Sequence, residues 1–266
     1  PMLSNEQYQY FQTFGFVILR QFFTSDEVET LREEFEKGLN LAYADRPFDG
    51  SERYWTSQLG PATPFYASLP EDERFWSIAA QLYGEDAFVA NTDANRYVGD
   101  TPWHFDHFVD PAEDCYGVKF VFYLDPVGPD SGSLRLVPGS HKLPLHDELR
   151  ENMPLMGLSV EDVPSYASTC EPVDVLAFDM RCWHASSGGS DGRRMSTCCY
   201  YKNPETPEEE QGARKRVALN SRTADEYDHS ETPLFHPHWV ANPQGSSLRQ
   251  GWIERLKELG FLQSAE

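Results

Sequence analysis

Basic residues are scarce in this chain: 22 Lys and Arg stand against 43 Asp and Glu, a formal net charge of −21 over 266 residues. Nucleic acids and anionic membranes need a basic surface to displace counterions, so neither is expected as a partner. The acid is spread in short runs such as Glu208-Glu209-Glu210, the pattern of a solvated surface. Cysteine is sparse too. Cys115, Cys170, Cys182, Cys198 and Cys199 are odd in number and show no CxxC spacing, which makes a poor disulfide framework and no zinc ribbon. No run of about 18 apolar residues occurs, so nothing is expected to span a membrane. The opening Pro1-Met2-Leu3-Ser4-Asn5-Glu6 lacks the basic and apolar regions of a signal peptide. With the thiols, this gives the expectation of a reducing cytoplasm.

What is present is a foldable chain. At 39% hydrophobic and 14% aromatic it is too apolar for disorder, and its length suits one large β-rich domain or two small ones. Ser4 with Gln7 and Thr24 with Glu27 read as capping boxes. They open a short helix carrying Tyr8 and Phe11, ended at Gly15, and a second helix over 26–43 with Val28, Leu31, Phe35 and Leu39 inward. Phe16-Val17-Ile18-Leu19 between them reads as a strand. A further helix is expected over 71–83, stopped by Gly84, and a last one begins at Ser246 or Ser247 and closes at Gly260.

The texture changes over 86–202. Short β-type runs at 87–97, 103–109, 116–124, 133–137, 173–184 and 193–202 are separated by Gly, Pro, Asp and Ser, which predicts an antiparallel sandwich or barrel. The expected architecture is a single domain spanning 1–266. A helical brace over about 1–85 precedes a β jelly-roll core over about 86–202, with a lid at 143–170 and a C-terminal wrapping segment and helix at 203–266.

Within that core, His104 and Asp106 in Thr101-Pro102-Trp103-His104-Phe105-Asp106-His107 are two apart. Alternate residues of a strand share a face, so both side chains are expected to enter one cavity. One more imidazole would complete a 2-His-1-carboxylate face with open positions, a donor set that suits Fe(II). His184 fits, at the end of a run that begins at Pro172. Ser186 shares its face, and Arg193 follows nine residues on with Arg194 beside it. A guanidinium there could pair bidentately with a carboxylate at the cavity rim.

These segments resemble the phytanoyl-CoA dioxygenase family: His104-x-Asp106, Tyr123-Leu124-Asp125-Pro126, Gly132 to Lys142 with its Val-Pro-Gly-Ser-His-Lys ending, His184-Ala185-Ser186 and Arg193-Arg194. Phe11-x-x-x-Gly15-Phe16-Val17-Ile18-Leu19 resembles that family's opening. The likeness covers about 5–202. It implies an all-β, cupin-like double-stranded β-helix with flanking helices, and a dioxygenase using Fe(2+), 2-oxoglutarate and O2, with ascorbate as a candidate reductant. His104, Asp106 and His184 would be both metal ligands and catalytic residues. Arg193 would bind the far carboxylate of 2-oxoglutarate with Ser186 beside it, and Asn95 and Thr101 would be further co-substrate candidates. The arginine sits closer to His184 than is usual in the family, which leaves Arg194 as the rival anchor. The implied reaction is hydroxylation of a C–H bond of a small metabolite with release of succinate and CO2, since halogenating relatives carry a small residue where Asp106 stands. The alternatives are a jelly-roll metalloprotein that does not use 2-oxoglutarate, such as an isomerase or hydrolase, and a non-catalytic binding relative.

Other residues carry plainer expectations. His107 should be structural or at the rim, His141 should stabilise a turn, and His236 and His238 lack a partner carboxylate. Cys182 reads as a packing thiol, and Cys198-Cys199 as one core and one exterior residue. Lys119 and Arg135 could each face the pocket or snorkel outward. Trp103 is expected to pack behind the metal, and Tyr97 is open to either role.

Overall fold

The computed structural model describes residues 2–227, 232–243 and 245–262. Both capping boxes form as read. Ser4 opens α1 (Asn5–Phe14), Thr24 opens α2 (Ser25–Ala42), and each cap contributes about 1 kcal/mol to starting its helix. Gly15 then takes a left-handed conformation (φ 86°) that ends α1 and turns the chain directly into β1 (Phe16–Leu19). After β2 (Tyr54–Ser57), α3 (Pro64–Ser68) and α4 (Glu73–Tyr83), the chain enters β3 (Phe88–Tyr97), β4 (Thr101–His104), β5 (Gly117–Tyr123) and β6 (Leu134–Leu136). The 143–170 segment holds α5 (Leu145–Met156) and β7 (Tyr166–Ala167). Then come β8 (Val175–Asp179), β9 (His184–Ser186) and β10 (Arg193–Tyr201), followed by α6 (Pro207–Tyr227), α7 (Pro237–Ala241) and α8 (Ser247–Leu259).

Among the described residues, ten strands form two antiparallel sheets, ordered β1-β8-β5-β10-β3-β2 and β4-β9-β6-β7. Their inner faces meet in one apolar cluster, in which Phe16, Val121, Tyr123, Leu176, Phe178 and Met195 of the larger sheet pack with Leu134 and Leu136 of the smaller. This is a jelly roll. The outer face of the larger sheet is covered by helices: Phe120, Phe122, Ala177 and Tyr200 join Tyr66, Phe75, Ile78, Trp252 and Leu256 in the main core. Leu145, Leu149 and Met153 of α5 pack with Trp103, Val137 and Trp183 on the side of the smaller sheet turned away from the cavity.

Four expectations are corrected. The strand read at 103–109 ends at His104, and Asp106 stands in the bend beyond it. The run 173–184 is two strands in different sheets, because the chain switches at Asp179–Arg181, where the Arg181 guanidinium pairs with Asp179 at 2.7 Å. The wrapping segment expected over 203–240, in which no helix is read, contains the 21-residue helix α6. Neither Cys198 nor Cys199 is exterior: both are fully buried, because helices cover one face of β10 and the second sheet faces the other.

Candidate metal centre and co-substrate cavity

His104 is the last residue of β4 and His184 the first of β9, and the antiparallel register sets them directly opposite. Their rings lie 4.1 Å apart. Two residues on, the amides of Asp106 and His107 both donate to Met180 O at 3.2 Å, which bends the chain inward. Phe105 turns the other way onto Trp183 and His146. Asp106 Oδ1 thereby comes within 3.7 Å of both His104 Nε2 and His184 Nε2, and the three donor atoms all lie within 4.8 Å of one another.

The protons are arranged to leave a gap. His104 Nδ1 donates to Pro102 O (2.8 Å) and His184 Nδ1 to Cys182 O (2.9 Å). A carbonyl only accepts, so each Nδ1 carries a proton, and in a neutral ring this leaves the Nε2 lone pair facing the other two donors. Burial, then the neighbouring His104 ring, pushes the His184 pKa down to about 3, so this imidazole stays neutral. Burial disfavours the Asp106 carboxylate, but the Lys119 ammonium beside it acts the other way, and the group is held well below its ordinary value. Three side chains able to donate electron pairs thus converge, and a cation is what such a set accepts.

Lys119 on β5 is in this cavity, its Nζ 2.6 Å from the outer Asp106 oxygen, Oδ2. That contact fixes which oxygen faces the imidazoles. Arg135 is on the reverse face of β6 from Leu134 and Leu136 and donates to Pro129 O at 3.1 Å.

At the other end of the cavity, Arg193 opens β10 and is only 7% exposed. Its Nη2 donates weakly to Ser186 Oγ (3.4 Å) and Gly99 O (3.5 Å), while Nη1 is buried without a partner. Tyr97 lies beneath the guanidinium at 5.2 Å. Thr101 stands across the ladder from Ser186. An orphaned cationic donor in a dry site is costly unless an anion meets it. Gly132 and Gly189 form its cradle: a Cβ at Gly189 would stand 1.8 Å from Nη1, and one at Gly132 would stand 2.7 Å from it. Arg194 is spoken for elsewhere, forked onto Asp125 (2.7 and 2.9 Å) and reaching Glu36 at 3.2 Å.

The neighbouring floor is polar. Asp93 on β3 accepts from Trp55 Nε1 (2.9 Å), Asn91 Nδ2 (2.9 Å), Asn95 Nδ2 (2.8 Å) and the Thr197 amide (3.2 Å). Asn95 in turn accepts from Arg53 at 3.1 Å. Burial raises the Asp93 pKa. Sequence reasoning reached Asn95 but missed Arg53, Asp93 and the Lys119–Asp106 contact. The available signals were a lone lysine inside the apolar run Gly117 to Tyr123 and the alternating polar residues of Asn91 to Asn95.

The remaining candidates lie outside the site. His107, Asp114 and Cys115 form a second group of donors, but the Arg216 guanidinium is paired with Asp114, and His107 Nδ1 donates to Cys115 O at 2.5 Å. His141 bonds Gln12 O (3.3 Å), and His236 caps α7 by accepting the His238 amide (3.0 Å). Cys182 is a buried packing thiol against Gly15, and Trp103 reaches Val160 O from the back of β4.

The family model for phytanoyl-CoA dioxygenase (PhyH) matches residues 11–196, which is most of the chain and contains His104, Asp106, His184, Ser186 and Arg193. The chain belongs to this family. Two ectoine dioxygenases are similar in sequence. That of Halomonas elongata is 27% identical over 218 residues, covering 74% of this chain and 63% of the relative. That of Bordetella bronchiseptica is 25% identical over 154 residues, 53% of this chain and 50% of the relative. The chain thus spans about half to three-fifths of the length of the curated relatives it matches. The fold is that of HygX from Streptomyces hygroscopicus, a structure with nickel and 2-oxoglutarate bound: the TM-score is 0.60 at 24% identity, covering 78% of this chain and 90% of that one. Among the described residues, no helix is long and apolar enough to cross a membrane.

Proposed function

We propose that this family member is an Fe(II)- and 2-oxoglutarate-dependent dioxygenase, a single catalytic domain that hydroxylates a C–H bond of a small polar metabolite. The observation that carries the reading is the pairing of two needs side by side: three ligand atoms converging beside Lys119, and, next to Ser186 on the same strand as His184, a buried guanidinium with an orphaned nitrogen. His104, Asp106 and His184 would hold Fe(II). Arg193 would hold the far carboxylate of 2-oxoglutarate, with Ser186 and Thr101 beside it and Asn95 at the boundary with the substrate. When bound, iron, 2-oxoglutarate and O2 supply the oxidising power, with R–H, 2-oxoglutarate and O2 giving R–OH, succinate and CO2; ascorbate would keep the metal reduced. The protein's own part is to fix both imidazole tautomers through Pro102 O and Cys182 O, to keep Asp106 ionised through Lys119, and to exclude water.

The polar floor of Arg53, Asn91, Asp93 and Asn95 supports a small polar substrate over a fatty acyl chain, and the matched relatives are named for a small molecule, ectoine. Five buried free thiols support a reducing cytoplasmic setting. The test is a metabolite-library screen read by succinate formed from 2-oxoglutarate under Fe(II) and ascorbate. Succinate that requires added Fe(II) and rises with one class of polar metabolite is expected; none with any compound would overturn the reading. A sharper prediction concerns the arginine cradle. Gly189→Ala drives a methyl into the guanidinium, and it is expected to raise the KM for 2-oxoglutarate by about tenfold or more, the worth of one charge-assisted hydrogen bond, with a smaller change in kcat.

A further inference from the structure

Helix α6 lies beyond residue 196, where the family match ends, and carries no residue of the cavity. It is nonetheless seated on the loop that bears Asp106. Arg216 is 8% exposed, and its Nη2 donates to Asp106 O at 2.7 Å. Its Nε donates to Asp114 Oδ1 at 2.7 Å, and Nη2 also reaches Asp114 Oδ2. Asp114 is 1% exposed, accepts the Phe108 amide at 2.9 Å and faces His107 Nδ1 at 3.3 Å. One guanidinium therefore ties both ends of the 106–115 loop together. One turn earlier on α6, Gly212 touches the same loop so closely that a Cβ there would stand 2.1 Å from Pro111 O and 2.4 Å from Asp114 O. The neighbouring Ala213 is fully buried.

Asp106 needs this support, because it is not on a strand. Among the described residues, its backbone is otherwise held by the bonds of the Asp106 and His107 amides to Met180 O, while the two histidines are locked by the β4–β9 ladder. We propose that Arg216, admitted by the close approach at Gly212, is a positioning residue that holds the Asp106 loop in metal-binding register, so that α6 is part of the metal centre without touching it. This rests on the assignment of His104, Asp106 and His184 as ligands.

The test uses cobalt(II) as the probe on the full chain, with affinity measured by titration and the visible spectrum recorded at saturating metal. Arg216→Lys keeps the charge but cannot fork between Asp114 and the Asp106 carbonyl. It is expected to weaken cobalt binding by roughly tenfold, the lower end of the range for residues that orient ligands, and to change the spectrum. Gly212→Ala is expected to act in the same direction and decides the matter if Arg216→Lys does not fold. Leu39→Ala, a core truncation on α2, should destabilise the protein yet leave the spectrum as in the parent. The proposal is overturned if the folded variants keep the parent's affinity within about twofold and its spectrum, or if Leu39→Ala alters the spectrum as much. A parent protein that binds no cobalt would instead sink the ligand assignment beneath it.

Discussion

Asp106→Ala is expected to abolish Fe(II)-dependent succinate formation and to weaken divalent-metal binding by at least ~10³-fold, more than the 10–100-fold loss usual when only a supporting residue is removed. The size follows from two effects that act together. The substitution removes the one anionic donor, and it strands Lys119, whose ammonium stands 2.6 Å from Asp106 Oδ2. With the carboxylate gone, a lone positive charge faces the two imidazoles and repels any cation they recruit. That second effect can be separated: Lys119→Met added to Asp106→Ala should recover part of the metal affinity without recovering turnover. Titration calorimetry with Mn(II) on the parent and both variants checks the affinities, and the succinate assay checks turnover. Parent-like turnover in Asp106→Ala would remove the metal-centre reading altogether.

The residues of this site were legible in the sequence because their chemistry is tied to residue type and to alternation along β-structure. His104 and Asp106 do share a side with Phe105 opposed, even though the strand stops at His104 and a bend completes the alternation. His184, Ser186 and Arg193 fell into place because β9 and β10 are short, regular and antiparallel. What was not legible depends on pairing between distant strands. Nothing local says that Lys119 reaches Asp106, or that Trp55 on β2 and Thr197 on β10 both donate to Asp93. Helix α6 was hidden for a different reason: its seat on the loop is made by Gly212, Ala213 and Arg216, so no apolar stripe announces it. The 173–184 run misled because a buried strand and the sheet switch after it are equally apolar until Asp179 and Arg181 mark the turn.

Arg193→Ala should raise the KM for 2-oxoglutarate by about 10²-fold or more, whereas Arg194→Ala should leave it within about threefold of the parent. The two residues are adjacent and chemically identical, so the difference is one of environment. Arg193 is buried, with Nη1 unpartnered and Nη2 making only long contacts, so a carboxylate arriving there gains one or two charge-assisted bonds, each worth about 1.5–3 kcal/mol. Arg194 has already spent its donors on Asp125 and Glu36, both about half exposed, and loss of such pairs costs at most about 1 kcal/mol of stability. Arg193→Lys should recover little, because a point charge cannot fill a cradle that Gly132 and Gly189 shape around a planar guanidinium. Initial rates against 2-oxoglutarate at saturating Fe(II), with thermal melts to normalise for folding, distinguish the three variants. The local field matters all the more in a chain of net charge −21, whose exterior repels a dianion at long range. That repulsion is screened over about 8–10 Å at physiological salt, so attraction must come from groups inside the cavity. Arg193 is one such group, a buried guanidinium with Nη1 left without a partner. The opposite result, with affinity lost in Arg194→Ala and kept in Arg193→Ala, would move the anchor to the other side of β10 and out of the cavity that holds His104, Asp106 and His184.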